Sequence, residues 1–232
     1  MWVFLKVSGG SILRKYIRAA AVFALVVFAV CVRSAAAQDD EDLQSWNDVQ
    51  VTTALGKKVD VFFKVTMRFG KNVSRLNDGR FAFGFVWKPT RSLSISPFYW
   101  GIEARNAAGQ FRSEDRLSLA ATYRFPIKRF GLTHRSTYEH RIRAVTTWRY
   151  RAQMTFDKDI SKRVMPNAKF FFGDEVFYDS ATGKFSRNRF SIGITKTVNK
   201  NLAVDIYYMR QNDGFTHPGD LNTIWTAWKI KL

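Results

Sequence analysis

Residues Val59 to Phe69, VDVFFKVTMRF, alternate so regularly that their reading decides the fold. Val59, Val61, Phe63, Val65, Met67 and Phe69 share one face, while Asp60, Phe62, Lys64, Thr66 and Arg68 share the other. Successive side chains of a β-strand point to opposite sides, so this stretch predicts a strand with one apolar and one polar face. The same pattern recurs outward along the chain. Phe81, Phe83, Phe85 and Trp87 oppose Arg80, Ala82, Gly84, Val86 and Lys88, and Leu117, Leu119, Ala121, Tyr123 and Phe125 oppose Arg116, Ser118, Ala120, Thr122 and Arg124. Trp148, Tyr150, Ala152, Met154 and Phe156 oppose Arg149, Arg151, Gln153 and Thr155. Phe190, Ile192 and Ile194, then Leu202, Val204, Ile206 and Tyr208, continue it. Two segments resist a face assignment: Leu93 to Ile102, where Pro97 predicts a bulge or irregularity, and Ala168 to Val176, where Phe170, Phe171 and Phe172 are consecutive.

Many strands of about ten residues with one apolar face predict an all-β antiparallel barrel. A soluble lipocalin-like barrel has the same alternation turned inside out, so periodicity alone does not say which face meets the lumen. Three features favour a transmembrane barrel. Trp87, Tyr123, Phe125, Trp148, Tyr208 and Trp228 sit near strand ends, where interfacial girdles belong. Connections alternate between tight ones (88–92, 126–129, 198–200) and longer polar ones (70–79, 103–113, 179–186, 212–221), with 157–166 an exception. Finally, Trp228, Ile230 and Leu232 alternate with Lys229 and Lys231, which resembles the terminal-strand signal of bacterial outer-membrane proteins, although Leu232 replaces the usual aromatic. That resemblance implies the barrel-assembly machinery as a partner during biogenesis.

The N-terminus agrees with this destination. Lys6, Arg14, Lys15 and Arg18 precede an apolar run from Ala19 to Val32 and then Ala35, Ala36 and Ala37, the three-part plan of a secretory signal. The run is shorter than the roughly 20 residues a membrane-crossing helix needs. The expected organisation is a signal peptide over 1–37 and one barrel domain over 38–232. Cleavage lowers the net charge from +18 to +13 and removes Cys31, the only cysteine, so no disulfide framework or thiolate chemistry is expected. Eleven alternating segments are counted, the first at Asn47 to Leu55. A wall of ten to twelve strands is expected, with ten or twelve favoured because single-chain bacterial barrels have an even number.

Short motifs spread over the mature chain carry a family resemblance. They are Trp46, Met67-Arg68-Phe69, Thr133-His134-Arg135-Ser136-Thr137-Tyr138-Glu139-His140-Arg141, Trp148-Arg149-Tyr150-Arg151, Asp174-Glu175-Val176-Phe177 and Asn188-Arg189-Phe190. On these the chain resembles DUF2490, an uncharacterised family of the bacterial envelope. The resemblance implies an outer-membrane barrel and assigns no activity.

The face expected to line the lumen is basic. Its clear strands carry fourteen Lys and Arg against Asp60, Glu139 and Asp205. The candidate lumen cluster is Arg68, Arg124, Arg135, Glu139, Arg141, Arg149, Arg151, Glu175 and Arg189. Rings of basic side chains favour anions in a narrow pore, which predicts an anion-favouring passage or a site for a small anionic solute. The competing expectation is a lumen plugged by side chains, with Glu139 and Glu175 bridging Arg135, Arg141, Arg149 and Arg151. Basic residues near the rim also suit outer-membrane lipid and lipopolysaccharide phosphates.

An enzyme reading has one foothold, His134-Arg135-Ser136, which puts His and Ser on one face of a strand. It resembles the pair of outer-membrane lipid hydrolases, which place an Asn or Glu about a dozen residues later. Here that position is Trp148, and Tyr150, Ala152 and Met154 offer no suitable acceptor. No catalytic residue, metal set or cofactor is therefore expected. Nucleic acid is not an expected partner despite the basic composition, because a barrel in the outer membrane does not meet it.

Overall fold

A computed structural model describes residues 41–106, 108–216 and 219–232. The targeting segment expected over 1–37 lies outside them. The described residues form eleven strands and no helix: β1 (Glu41–Ala54), β2 (Val59–Gly70), β3 (Arg75–Trp87), β4 (Leu93–Arg105), β5 (Phe111–Arg124), β6 (Gly131–Ile142), β7 (Thr147–Asp159), β8 (Ala168–Asp179), β9 (Lys184–Thr197), β10 (Leu202–Asp213) and β11 (Asp220–Lys231). Each strand pairs with its sequence neighbours, and β1 pairs with β11 to close the barrel.

The wall has eleven strands, within the expected ten to twelve; the even number is not observed, and the eleven segments of the sequence are eleven strands. Antiparallel neighbours reverse direction at every turn, so with an odd number the first and last strands point the same way. They can close the barrel only as a parallel pair, and β1 and β11 do so in register from Glu41 opposite Asp220 to Thr52 opposite Lys231. The first strand also starts earlier than Asn47, taking Trp46 into the wall.

The side chains settle which face is outside. Phe63, Phe83, Phe85, Leu117, Leu119 and Ile206 point outward and are exposed, whereas Thr66, Ala82, Ser118, Ala120 and Asp205, of opposite phase, are buried. Apolar residues out and polar residues in is the arrangement of a transmembrane barrel, the reverse of a lipocalin-like one. Aromatic rings gather on the outside at both ends. At one end Tyr138 stacks on Trp148, and Trp148 on Tyr178, which meets Phe185 edge on. At the other, Tyr123 meets Phe125, and Phe156 packs between Phe130 and Phe172. Two such belts are what the two interfaces of a bilayer select. Strands of 12–14 residues exceed the roughly 9–11 that span a bilayer when tilted.

The difference between tight and long connections is not observed. Strands run on into segments that looked like loops, and every connection has four to eight residues, the longest being 160–167. Polar strand ends that project beyond the hydrocarbon carry the composition of loops while keeping the pairing of strands. The turn at 71–74 is held from β1, where the Asp42 carboxylate accepts the backbone N–H groups of Lys71 at 3.1 Å and Asn72 at 2.8 Å.

The two ambiguous segments have distinct physical solutions. Pro97 has no N–H to offer β3, and the β3–β4 ladder is interrupted between Gly84 opposite Phe98 and Trp87 opposite Ile95. The Ser96 hydroxyl donates instead to the Phe85 carbonyl at 2.7 Å. Gly84 permits the close approach there, since a Cβ would collide with the Phe98 Cβ and the Pro97 carbonyl. In β8 the three phenylalanines simply alternate: Phe170 and Phe172 pack together, while Phe171 meets Tyr207 in the lumen.

Candidate functional site: a basic vestibule

The inward side chains divide the lumen into two halves. Toward the end that carries the 71–74, 143–146 and 180–183 turns, they are packed out of contact with water. Glu139 is 0% exposed, and Trp46, Asp78, Arg116, Arg141, Arg149, Asp179, Gln211 and Asp213 are also buried. Side chains around an open pore would touch water, so this half is filled. Toward the end with the 55–58 and 198–201 turns, the lumen widens into a cavity of about 750 Å³. The Arg124 and Lys229 side chains near its mouth are 51% and 52% exposed.

Glu139 on β6 stands at the centre of the packed half. Its carboxylate accepts from Arg151 at 2.8 Å and from Arg116 at 3.4 Å. Arg151 also reaches Glu175 on β8 at 2.6 Å. Asp179 holds Arg149 at 2.5 Å and Arg141 at 3.2 Å, and Arg141 extends to Glu114 on β5 at 2.7 Å. Glu114 also pairs with Arg116, and Arg187 with Asp213. The ladder therefore crosses β5 to β8, and Arg187–Asp213 forms a separate pair between β9 and β10. Breaking one partner out of such a buried set costs about 3–5 kcal/mol, because the other charge is left uncompensated.

The candidate residues are thus only partly brought together. Glu139, Arg141, Arg149, Arg151 and Glu175 join one network, but Arg141 and Arg149 are bound by Asp179 and Glu114 rather than by Glu139 and Glu175. Arg124 pairs with Asp157 at 3.1 Å near the mouth. Arg135, expected among the bridged residues, lines the cavity and forms no ion pair among the described residues; its nearest noted neighbour is the Phe98 ring at 5.9 Å. Arg68 and Arg189 lie apart from the ladder.

The count of fourteen bases to three acids is also corrected. Asp48, Asp78, Glu114, Asp157, Asp179 and Asp213 all pair with inward-facing cations. They sit at strand ends or on β1, where the alternation seemed to have stopped. Carrying its phase on would have found them: Glu114 lies two residues before Arg116, and Asp179 four after Glu175. Most of the positive lumen is therefore compensated from within.

Aromatic rings provide the rest of the filling. Phe177, 1% exposed, has the guanidinium carbons of Arg151 at 5.0 Å and Arg189 at 4.8 Å from its ring centre. Trp46 carries Arg68 at 3.5 Å and Arg189 at 5.0 Å, and its indole donates to Gln44 at 2.6 Å. Trp46 packs with Met209 and Leu221, against Tyr207 and Trp225, behind the parallel seam. A desolvated guanidinium on an aromatic face gains about 2 kcal/mol. Its burial costs several kcal/mol, so a ring alone does not offset it.

On the outer face, the His134 Nε2 and Ser136 Oγ lie 2.9 Å apart, and Ser136 Oγ is 2.9 Å from the Tyr150 hydroxyl. Ser136 is the only hydrogen-bond partner of the His134 side chain among the described residues. The pair anticipated in the sequence does form, and it ends in a phenol on the serine rather than in an acceptor on the imidazole.

The model of the family described as "Protein of unknown function (DUF2490)" matches residues 43–222, most of the barrel. No curated protein matches the chain in sequence. Among solved structures, the KdgM porin is similar at 11% identity and a TM-score of 0.46, over 82% of this chain and 95% of that one. LpxR from Salmonella typhimurium is similar at 9% identity and a TM-score of 0.48, over 75% of this chain and 83% of that one. Both likenesses are distant and carry no argument about activity.

Proposed function

The chain belongs to the DUF2490 family, whose description names no activity, and from its lumen we propose a non-enzymatic barrel of the bacterial outer membrane that is closed to free diffusion and keeps a blind basic vestibule. The apolar outer face and the two aromatic belts support the membrane setting. The observation that carries the closed state is Glu139, a carboxylate inside the lumen with no exposure and with Arg116 and Arg151 held against it. Inward charges in a narrow barrel form such ladders when side chains fill the bore.

Conductance across planar bilayers tests this reading. The parent protein passes no steady current, whereas a variant with Glu139, Arg149 and Arg151 all changed to Ala opens a conducting path. Steady anion-selective current from the parent would overturn the closed lumen and favour the anion-preferring pore. Fractionation of the envelope tests the location: recovery in the inner membrane or the soluble periplasm is incompatible with it.

A lipid hydrolase is the second reading, favoured by the His134–Ser136 hydrogen bond on the wall. It is the weaker one, because no group among the described residues orients the imidazole toward general-base work.

A further inference from the structure

Two of the buried guanidiniums have no adequate counter-charge, and they share one ring. Arg189 is 9% exposed, and its only hydrogen-bond partner among the described residues is the amide oxygen of Gln211 at 2.9 Å. The nearest carboxylate oxygen to Arg68 belongs to Asp78 at 4.0 Å, and Asp78 is already gripped by Arg80. Both cations pack on Trp46, so two like charges share a single indole and repel one another. Unsatisfied donors cluster with them: Arg68 Nε and the Trp225 indole Nε1 are buried without a partner among the described residues, and Arg68 also lies over Trp225, 5.8 Å from the ring centre. Arg68, Arg189 and Trp225 all line the vestibule.

Elsewhere in the packed half the sequence supplies a carboxylate for each cluster of arginines. Here Asp78 and Glu175 stand beside Arg68 and Arg189, but Arg80 and Arg151 already hold them, and the two cations are left on aromatic faces. Buried polar groups left without partners mark a missing ion, water or ligand, and guanidinium forks match the oxygens of phosphate and carboxylate better than any other side chain does.

Resting on the blind-vestibule reading for its route of entry, we infer that Arg68, Arg189 and Trp225 form an oxyanion seat at the inner end of the vestibule. It takes the phosphate or carboxylate group of a solute small enough for the cavity of about 750 Å³. Trp46 holds the two guanidiniums in place from behind. The bound anion supplies the negative charge that Asp78 and Glu175, held by Arg80 and Arg151, leave short, so occupancy stabilises the barrel as well as filling the seat.

The test uses the folded barrel in a neutral, phosphate-free detergent. Titration with inorganic phosphate is followed by calorimetry and by the midpoint of thermal unfolding. Phosphate binds and raises the midpoint of the parent. Arg189→Gln and Arg68→Gln each weaken binding at least tenfold and abolish the thermal shift, while Lys128→Gln, on an exposed turn, leaves both unchanged. Arg189→Gln relieves the repulsion at Trp46, so its midpoint without phosphate is no lower than the parent's, which separates loss of the seat from loss of the fold.

Micelles doped with phosphatidylglycerol identify the source of the group. Arg189-dependent retention of that lipid assigns the seat to a lipid headgroup, and Arg189-dependent binding of inorganic phosphate assigns it to a soluble ion. Absence of both, or equal binding by Arg189→Gln and parent, overturns the seat. Bilayer conductance is independent of this outcome: a conducting parent that binds phosphate through Arg189 keeps the seat and loses the closed lumen.

Discussion

Trp46 on β1 and Trp225 on β11 meet edge to face inside the barrel, ring centres 4.7 Å apart, at the point where the only parallel strand pair of the described residues closes the wall. The two residues are register partners, so the aromatic contact reinforces the seam that an odd strand number requires. Trp46→Ala removes this contact, the platform under Arg68 and the packing on Met209 and Leu221. The expected loss is about 3–5 kcal/mol, read from urea unfolding in lipid vesicles. A loss below 1 kcal/mol would show that the seam holds through its backbone bonds alone.

The outward apolar face makes a prediction that separates it from the lumen. Phe83, 53% exposed on the outside, replaced by Arg costs about 2–4 kcal/mol when the position lies near the bilayer midplane. Ser94→Arg, in the wall of the vestibule, stays within about 0.5 kcal/mol. Equal costs in the same vesicle assay would contradict the inside-out assignment.

Legibility followed burial. Val59 to Phe69 reads correctly because its two faces meet two different media, and every such segment became a strand with the expected orientation. Strand ends were illegible because they leave the hydrocarbon, where both faces become polar and the alternation fades although the ladder continues. The acids hidden there, Asp179 and Glu114 above all, compensate much of the positive charge of the site. The oxyanion seat was beyond sequence reasoning for another reason: Arg68, Arg189 and Trp225 lie on β2, β9 and β11, and only the parallel closure brings them to one cavity. Parity could have signalled that closure, since eleven segments were already countable.

The charge ladder predicts unequal costs for superficially similar changes. Glu139→Gln leaves Arg116 and Arg151 facing a neutral amide in a buried half of the lumen, and the expected destabilisation is about 3 kcal/mol or more. Asp159→Asn removes a carboxylate whose side chain is 83% exposed and 3.8 Å from Lys169; pairs of that kind contribute between 0 and about 1 kcal/mol. Raising salt to about 1 M shortens electrostatic screening to about 3 Å, yet it leaves the Glu139 penalty nearly intact because the network excludes solvent. A penalty that vanishes in high salt would mean that water reaches Glu139 and that the bore is open.

The outer-wall serine gives the sharpest test of catalysis. Ser136 Oγ sits between His134 Nε2 and the Tyr150 hydroxyl, each at 2.9 Å, so its position resembles that of a nucleophile beside a base. A catalytic imidazole also needs a partner that fixes its tautomer and stabilises its protonated form. His134 has Ser136 alone, and its register partners across the sheet are Tyr123 and Met154, a phenol and a thioether. On the proposed non-enzymatic reading the arrangement is a polar clasp between β6 and β7. Ser136→Ala should lower stability by about 1 kcal/mol, the usual worth of a hydrogen bond lost at a partly buried site. Neither the parent nor the variant should release fatty acid from phospholipid or lipopolysaccharide. Release by the parent that disappears in Ser136→Ala, with the fold intact, would make the wall a hydrolytic site and displace the non-enzymatic reading.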